Sequence, residues 1–158
     1  MGKVKTNAMR ILETRGISYR ALSYDSRDGK IDGVSVAQKV ERDPKTVYKT
    51  LVTQGNSGGV YVFIIPVEGE LDLKKAAATA GEKKIEMIPV KDILKWTGYI
   101  RGGCSPIGMK KNYPTFIAQE ALKFQNIIVS GGRIGIQIEI EVKDLLTITE
   151  AAAADLLK

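Results

Sequence analysis

The pattern of hydrophobic and polar positions predicts an α/β chain with a hairpin at its centre. Two runs rich in β-forming residues, 46–53 and 60–67, flank a six-residue stretch of glycine, asparagine, serine and glutamine, which predicts a β-hairpin in the middle of a sheet. Residues 136–142 alternate strictly between apolar and polar side chains. This alternation is typical of a strand covered on one face, with its polar residues in solvent. Shorter strands are predicted at residues 18–24, 85–88, 115–117 and 126–129.

Helices are predicted where a capping residue precedes an apolar periodicity of about 3.6 residues. Asp72 is expected to cap a helix over residues 73–80 that Gly81 ends, and Thr149 is expected to cap a final alanine-rich helix to Leu157. Further helices are predicted at residues 6–15, 35–40 and 91–96. Because no repeat or long linker divides the chain, we expect one domain over residues 1–158, an α/β fold with a mixed central β-sheet flanked by helices.

The absence of histidine restricts the chemistry that this chain can perform. None of its 158 residues is a histidine, and Cys104 is its single cysteine. A Ser-His-Asp or Cys-His nucleophile, an HExxH zinc site, a zinc cluster and a CxxC redox pair are therefore excluded within the chain. We expect neither a metal nor an organic cofactor. Catalysis would have to rely on lysine, tyrosine, serine, carboxylates, backbone dipoles or the substrate's own groups.

The net charge is compatible with a polyanionic partner. With 24 basic and 18 acidic residues the formal charge is +6, which favours RNA but equally fits a soluble enzyme with solvated lysines. No apolar run approaches the roughly 20 residues that span a bilayer, and residues 1–10 are polar and basic with no apolar segment behind them, so we expect a cytosolic protein. Three pairs of adjacent lysines could contact phosphates or form solvated faces: 74–75, 83–84 and 110–111.

Lys49 is the first candidate for chemistry. The strand period of two places it on the same face as Val47 and Leu51, so that a lysine interrupts an apolar face. Burial would disfavour its charge and an anion placed opposite would restore it, which suits a group that stabilises negative charge developing in a transition state. The alternative is an edge-strand lysine that reaches solvent along its flexible stem.

Two glycine-rich segments are the other candidates. Residues 98–108 contain four glycines, which let backbone amides approach a ligand but equally suit a tight crossover. The lysines that follow this segment do not match the spacing of a P-loop, so nucleotide hydrolysis is rejected. Residues 130–133 are predicted to form a turn between two strands with Ser130 and Arg133 at its tip. Cys104 has no histidine to activate it and is interpreted as a packing residue.

Taken together, four segments resemble the YbaK/EbsC family, the free-standing relatives of the editing domain of prolyl-tRNA synthetase. The resemblance extends over nearly the whole chain. The segments are YKTL at residues 48–51, LKKAA at 73–77, TGY leading to GGCSPIG at 97–108, and VSGG at 129–132. The resemblance implies the fold of that editing domain. It also implies hydrolysis of Cys-tRNA(Pro), which prolyl-tRNA synthetase forms by mischarging, and a complex with tRNA(Pro) and the synthetase.

The resemblance further implies a mechanism that needs no histidine. The thiol of the substrate attacks the ester carbonyl, while the enzyme supplies orientation and stabilises the oxyanion. By motif, Lys49 would hold the tRNA 3′ end or the developing charge, and Gly102 and Gly103 would offer backbone groups to the reacting ester. The residues expected to bind the aminoacyl group are Tyr24, Thr50, Ser130 and Gln137. The residues expected to bind the tRNA are Lys110, Lys111 and Arg133.

One position departs from the family's pattern. Many members carry an aspartate where this chain has Gln137, a neutral amide, so a carboxylate that could orient the thiol or amine of the substrate is missing. Two alternatives stay open beside cysteine editing: a non-catalytic regulator of the same fold that binds tRNA or protein, and a deacylase of Ala-tRNA(Pro). Activity on Cys-tRNA(Cys) is also compatible with the resemblance.

Overall fold

The strands of the protein form two β-sheets. The computed structural model describes residues 5–158, so predictions that involve residues 1–4 lie outside the described residues. The strands are β1 (Tyr19–Ser23), β2 (Tyr48–Gly55), β3 (Val60–Pro66), β4 (Ile85–Met87), β5 (Thr115–Ala118), β6 (Asn126–Arg133), β7 (Ile136–Glu141) and β8 (Ala152–Ala154). The helices are α1 (Asn7–Thr14), α2 (Gly33–Lys39), α3 (Leu73–Ala80), α4 (Ile93–Thr97) and α5 (Val142–Thr149). The predicted α/β class is confirmed, and a parallel bridge between Val47 and Ile128 connects the two sheets.

A five-stranded mixed sheet, in the order β4-β2-β3-β5-β8, forms one half of the fold. β2 and β3 form the predicted hairpin, in which Lys49 lies opposite Ile65. β3 runs parallel to β5, and β5 runs parallel to β8. The side chains of residues 62–65 in β3 are all buried, as expected for a central strand that is covered on both faces. The sheet therefore gives Lys49 a rigid and mostly apolar support.

A three-stranded antiparallel sheet, in the order β1-β7-β6, forms the other half. In β7, Gln137 lies directly between Leu22 of β1 and Ser130 of β6. The pairing of β6 with β7 is irregular between Ser130 and Arg133. Such a bulge bends a strand and redirects its side chains. Ser130 and Gln137 are thus neighbours on one face of the sheet, at the point where β6 bends.

The helices begin at side-chain caps. The hydroxyl of Thr6 accepts a hydrogen bond from a backbone N–H of the first turn of α1 at 3.2 Å, and Asp72 caps α3 as predicted. Helix α2 begins earlier than predicted, because Asp32 accepts a hydrogen bond from the N–H of Ser35 at 3.1 Å and so acts as its cap. No helix within residues 5–158 is both long enough and apolar enough to cross a membrane.

The prediction for the last element of the chain is wrong. The alanine-rich segment forms strand β8, and the last helix, α5, lies before it. Thr149 is the final residue of α5 and not a cap at its start; its hydroxyl donates to the carbonyl of Leu145 at 2.7 Å. Alanine favours helices, but the edge of β5 offers backbone hydrogen bonds to this segment, and tertiary context overrides propensity.

Two predictions about β6 and β7 are also corrected. Residues 130–133 belong to β6, and the turn lies at Ile134 and Gly135. Gln137 was expected on a solvent-facing side of the strand but is only 6% exposed. The reason is that α2 packs over this face through a small apolar cluster. The cluster consists of Ala37, Val47, Val67 and Ile128, with Leu22 packed against it.

Candidate functional site

A small cavity lies between the start of β2, helix α2 and the three-stranded sheet. Its volume is about 110 Å³, below the roughly 300–1,000 Å³ that is usual for sites of drug-sized ligands. The fold brings together in its wall six residues that were predicted for the site from distant parts of the sequence. These are Tyr24, Lys49, Thr50, Gly102, Ser130 and Gln137. The cavity can therefore enclose a small chemical group but not a whole nucleotide.

Lys49 brings a positive charge to a cavity wall in which apolar and polar side chains are mixed. Its side chain is half-buried, and no carboxylate of residues 5–158 forms a salt bridge with it. Burial lowers the pKa of Lys49, an effect that the carboxylate of Glu70 partly opposes. Glu70 itself pairs with Lys158 at 3.2 Å. An anionic group of a ligand would favour the charged form of Lys49 and would gain an ammonium partner.

Polar groups without protein partners surround the same space. The hydroxyls of Tyr24 and Thr50 are buried and have no hydrogen-bond partner among residues 5–158. Gln137 is 6% exposed, and its side-chain amide forms no hydrogen bond within the described part of the chain. Ser130 Oγ accepts a hydrogen bond from the N–H of Gly132 at 3.2 Å, which leaves its own proton available. Because buried polar groups nearly always have partners, this arrangement indicates a binding site for a polar group.

The glycine-rich loop forms another wall and is held by close backbone packing. Gly102 lines the cavity with a φ of +85°, a conformation that favours glycine. Gly103 does not line it: a Cβ there would lie 2.9 Å from the backbone nitrogen of Ile134 and 3.0 Å from the Cα of Arg133. The N–H of Gly103 donates to the carbonyl of Ile100 at 3.0 Å. Gly103 thus lets the loop approach the β6–β7 turn, and its N–H is not available to a ligand.

Cys104 behaves as a packing residue. Its side chain is buried in a cluster with Val52, Val60, Ile88 and Tyr99, although it also contributes to the cavity wall. Burial raises the pKa of the Cys104 thiol to about 11. Since the thiolate is the nucleophilic form, a thiol with a raised pKa is a poor nucleophile at neutral pH. The structure therefore supports the interpretation made from the sequence.

The residues predicted to bind tRNA lie outside the cavity. Lys110, Lys111 and Arg133 are exposed, and none of them is in the cavity wall. None of the three forms a salt bridge within residues 5–158. In the two other lysine pairs, by contrast, Lys75 and Lys84 each pair with a carboxylate. Lys110 and Lys111 thus differ from the other two pairs, in each of which one lysine has a carboxylate partner.

Sequence reasoning did not identify the apolar part of the wall. This part consists of Ile31, Val36, Val47 and Val67, together with Gly33. A Cβ at Gly33 would collide with the side chain of Val67, so glycine is needed for α2 to approach the end of β3 this closely. These residues come from a loop, a helix and two strand ends. No local pattern distinguishes them from ordinary core residues, because only the packing of α2 brings them together.

Known proteins resemble this chain in sequence and in fold. The family model of the aminoacyl-tRNA editing domain matches residues 32–148. EbsC of Enterococcus faecalis, provisionally named a Cys-tRNA(Pro)/Cys-tRNA(Cys) deacylase, is 45% identical over 152 residues, which cover 96% of this chain and 93% of that protein. A proline-tRNA ligase of Thermosipho melanesiensis is 29% identical over 97 residues, 61% of this chain and 17% of the ligase. A crystal structure described as a candidate trans-editing enzyme for prolyl-tRNA synthetase is similar, with a TM-score of 0.86, 26% identity and 99% of both chains covered.

Proposed function

The chain belongs to the aminoacyl-tRNA editing domain family, and from this premise we propose that it is a Cys-tRNA(Pro) deacylase formed by one domain over residues 1–158. The observation that carries the proposal is the position of Lys49. Its ammonium is half-buried in the wall of one small cavity and forms no salt bridge with residues 5–158. The same cavity contains hydroxyls that have no hydrogen-bond partner among these residues. This site offers charge stabilisation and orientation. These are the contributions that ester cleavage needs from a protein without histidine.

The dimensions of the cavity support a small aminoacyl group as the bound part of the substrate. A volume of about 110 Å³ and walls of valine and isoleucine suit a short side chain, while the tRNA stays outside. A separate editing site has a physical purpose here. Cysteine and proline are close in size, and a synthetic pocket separates such near-isosteres by only about 1–3 kcal/mol.

In the proposed reaction the nucleophile is the thiol of the substrate. Its sulfur attacks the ester carbonyl carbon, a C–S bond forms as the acyl C–O bond to the ribose breaks, and the thiol proton passes to the departing ribose oxygen. Water then cleaves the C–S bond of the released cyclic thioester, which gives free cysteine and completes the hydrolysis. Lys49 stabilises the oxyanion or holds the tRNA 3′ end, Gly102 brings its backbone to the ester, and Gly103 holds the loop in place. The side chains that orient the aminoacyl group are Tyr24, Thr50, Ser130 and Gln137.

The macromolecular partner in this proposal is tRNA(Pro), bound outside the cavity by Lys110, Lys111 and Arg133. The similarity to part of a proline-tRNA ligase supports prolyl-tRNA synthetase as a second partner, which would hand over mischarged tRNA in the cytosol. Cys-tRNA(Cys) is a further substrate, since the Enterococcus faecalis relative is named for both tRNAs.

Single-turnover deacylation of Cys-tRNA(Pro), Ala-tRNA(Pro) and Pro-tRNA(Pro) tests this function. We expect rapid loss of cysteine alone, and no loss when the substrate thiol is alkylated. Lys49→Ala should slow the reaction by about 10²- to 10³-fold, the usual effect of removing one group that stabilises an oxyanion. Lys45→Ala is the matched control, because Lys45 is an exposed lysine of the neighbouring turn and should be dispensable.

The outcomes separate the alternatives. If none of the three aminoacyl-tRNAs is deacylated, the chain is a non-catalytic binding protein of the same fold. Preferential loss of alanine would instead identify an Ala-tRNA(Pro) deacylase, which would agree with the neutral amide of Gln137. Wild-type rates for Lys49→Ala would remove Lys49 from the mechanism.

A further inference from the structure

The loop between β1 and α2, residues 24–32, covers one side of the cavity. Tyr24 and Ile31, near the two ends of this loop, both line the cavity wall. A Cβ at Gly102 would lie 2.9 Å from the side chain of Ile31, so the loop packs directly on the glycine-rich wall. The position of this loop therefore determines where the buried hydroxyl of Tyr24 lies relative to a bound aminoacyl group.

Lys39, the last residue of α2, holds this loop in place. Its ammonium donates to the carbonyl of Asp25 at 2.7 Å, to Oδ1 of Asp28 at 2.7 Å and to the carbonyl of Lys30 at 3.0 Å. Since an ammonium group has three N–H donors, all of them are used within one short segment. The same nitrogen lies 5.8 Å from the centre of the Tyr24 ring. Lys39 thus contacts the loop through three hydrogen bonds and also lies near the ring of Tyr24, the aromatic residue of the loop.

A second ion pair of the loop differs from Lys39 in what it connects. Arg27 donates two hydrogen bonds to the carboxylate of Asp25, both at 3.0 Å, and its side chain is 91% exposed. Both partners belong to the loop, so this pair does not attach the loop to any helix. The side chain of Lys39 is 22% exposed and connects the loop to α2, whose Gly33 and Val36 line the cavity.

We propose that Lys39 is a positioning residue of the aminoacyl site. By holding residues 25–30 against α2, it places Tyr24 and Ile31 around the aminoacyl group. The inference rests on the proposed deacylase function and identifies Lys39 as a residue that affects the rate of deacylation. Lys39 is not in the cavity wall and acts through the loop. Because tRNA affinity comes largely from phosphate contacts, loss of Lys39 lowers the rate constant of the bound substrate and leaves the KM for tRNA nearly unchanged.

Lys39→Met tests this role, because it keeps the aliphatic stem and removes the three donors. Arg27→Met is the matched control, since it also removes one positive charge that pairs with a carboxylate of this loop, but it leaves the contacts between the loop and α2 intact. We expect Lys39→Met to lower kcat for Cys-tRNA(Pro) by roughly 10- to 100-fold at constant KM, and Arg27→Met to stay within about twofold of the wild type.

A double-mutant cycle with Tyr24→Phe tests the route of the effect. If Lys39 acts through the position of Tyr24, the Lys39→Met/Tyr24→Phe protein should be little slower than the slower of the two single variants. Fully additive losses would overturn the assigned route.

Hydrogen–deuterium exchange gives a readout that does not depend on activity. In Lys39→Met the amides of residues 25–31 should exchange roughly 10-fold faster, while those of β3 keep their wild-type protection. If both kcat and loop exchange match the Arg27→Met control, the inference is overturned. It is also overturned if protection falls in β3 as well, because Lys39 would then serve the whole fold. If the wild-type protein deacylates none of the aminoacyl-tRNAs, the proposed function fails. The exchange rates of the loop amides still decide whether Lys39 holds residues 25–30 against α2.

Discussion

Lys49 opposes folding but is suited to binding a ligand. The strand pattern placed a lysine on an apolar face, and the structure shows it half-buried in the cavity, with no salt bridge to residues 5–158. Removing a cation from water without giving it a partner opposes folding. Charged groups held in this way are typical of functional sites, where a ligand supplies the missing partner.

Lys49→Met should therefore stabilise the fold while it removes activity. We expect the free energy of unfolding to rise by about 1 kcal/mol at pH 7, the usual size of a single stabilising substitution. Burial lowers the pKa of Lys49 below its ordinary value of 10.5. Between the folded and unfolded pKa values the unfolded wild type binds more protons, so wild-type stability rises with pH and the advantage of Lys49→Met shrinks.

Thermal unfolding followed by circular dichroism at pH 7 and near pH 10 measures this difference. Lys45→Met is the control, because it removes an exposed lysine from the turn before β2 and should leave the midpoint unchanged. A lower midpoint for Lys49→Met at pH 7 would contradict the assignment of Lys49 as a destabilising functional group.

At the scale of elements, the site depends on contacts between loops that no single element specifies. The glycine-rich loop reaches the cavity because its backbone packs against the β6–β7 turn, and the hydroxyl of Tyr99 donates to the carbonyl of Ile107 at 2.6 Å across the base of the loop. Helix α2 forms another side of the cavity. The segment after α2 is tied to β7 by two hydrogen bonds, at 3.1 and 3.5 Å, from Arg42 to the carboxylate of Glu139. These contacts hold two walls of the cavity in place.

Gly103→Ala tests the contact between the glycine-rich loop and the β6–β7 turn. The added Cβ would meet backbone atoms of Arg133 and Ile134 at 2.9–3.0 Å, and backbone cannot move aside as a side-chain end can. We expect the free energy of unfolding to fall by about 1–3 kcal/mol. Deacylation should slow by roughly 10-fold or more as Gly102 is displaced. Urea denaturation and single-turnover assays measure the two effects.

Gly16→Ala is the matched control for this substitution. Gly16 has a φ of +70°, and a Cβ there meets no atom within 4 Å, so alanine brings backbone strain of about 1–2 kcal/mol without a collision. Its deacylation rate should equal that of the wild type. The proposed role of Gly103 fails if the two variants deacylate at the same rate.

At the scale of the whole molecule, the lysines that supply the positive charge differ in what they contact. The formal charge is +6, yet some lysines contact other parts of the chain: Lys75 donates to the carbonyl of Leu157 at 2.7 Å, and the exposed Lys84 pairs with Glu86 at 2.9 Å. Lys110 and Lys111 follow the glycine-rich loop after one residue, Met109, and form no salt bridge within residues 5–158. We propose that this pair contacts the phosphate backbone of the bound tRNA.

Joint replacement of Lys110 and Lys111 by alanine should weaken tRNA binding and its dependence on salt. Each lost phosphate contact should reduce the slope of log K against log salt concentration by about 1. Equilibrium binding at several salt concentrations measures the slope. Replacement of Lys83 and Lys84 is the matched control, because it removes the same charge at the far end of the β2–β3 hairpin. Equal slopes for the two double variants would show that the tRNA responds only to net charge.

The sequence by itself determined the α/β class, the central hairpin, the starts of α1 and α3 and the family. These features depend on local signals: strand and helix periods, capping side chains such as Asp72, and four short motifs. The same signals failed where a segment's neighbours decide its state. The alanine tract is a strand because β5 offers it an edge, and Gln137 is buried because α2 covers its face of β7.

Only the tertiary structure decided the shape of the candidate site. It brought Tyr24, Lys49, Gly102 and Gln137 into the wall of one cavity, and it separated Gly103 from the ligand space by a contact with a turn some thirty residues further along the chain. Local patterns cannot report such contacts, because burial and hydrogen-bond partners depend on which distant segment packs on which face. The role proposed for Lys39 arises in the same way, from the packing of a loop on a helix end.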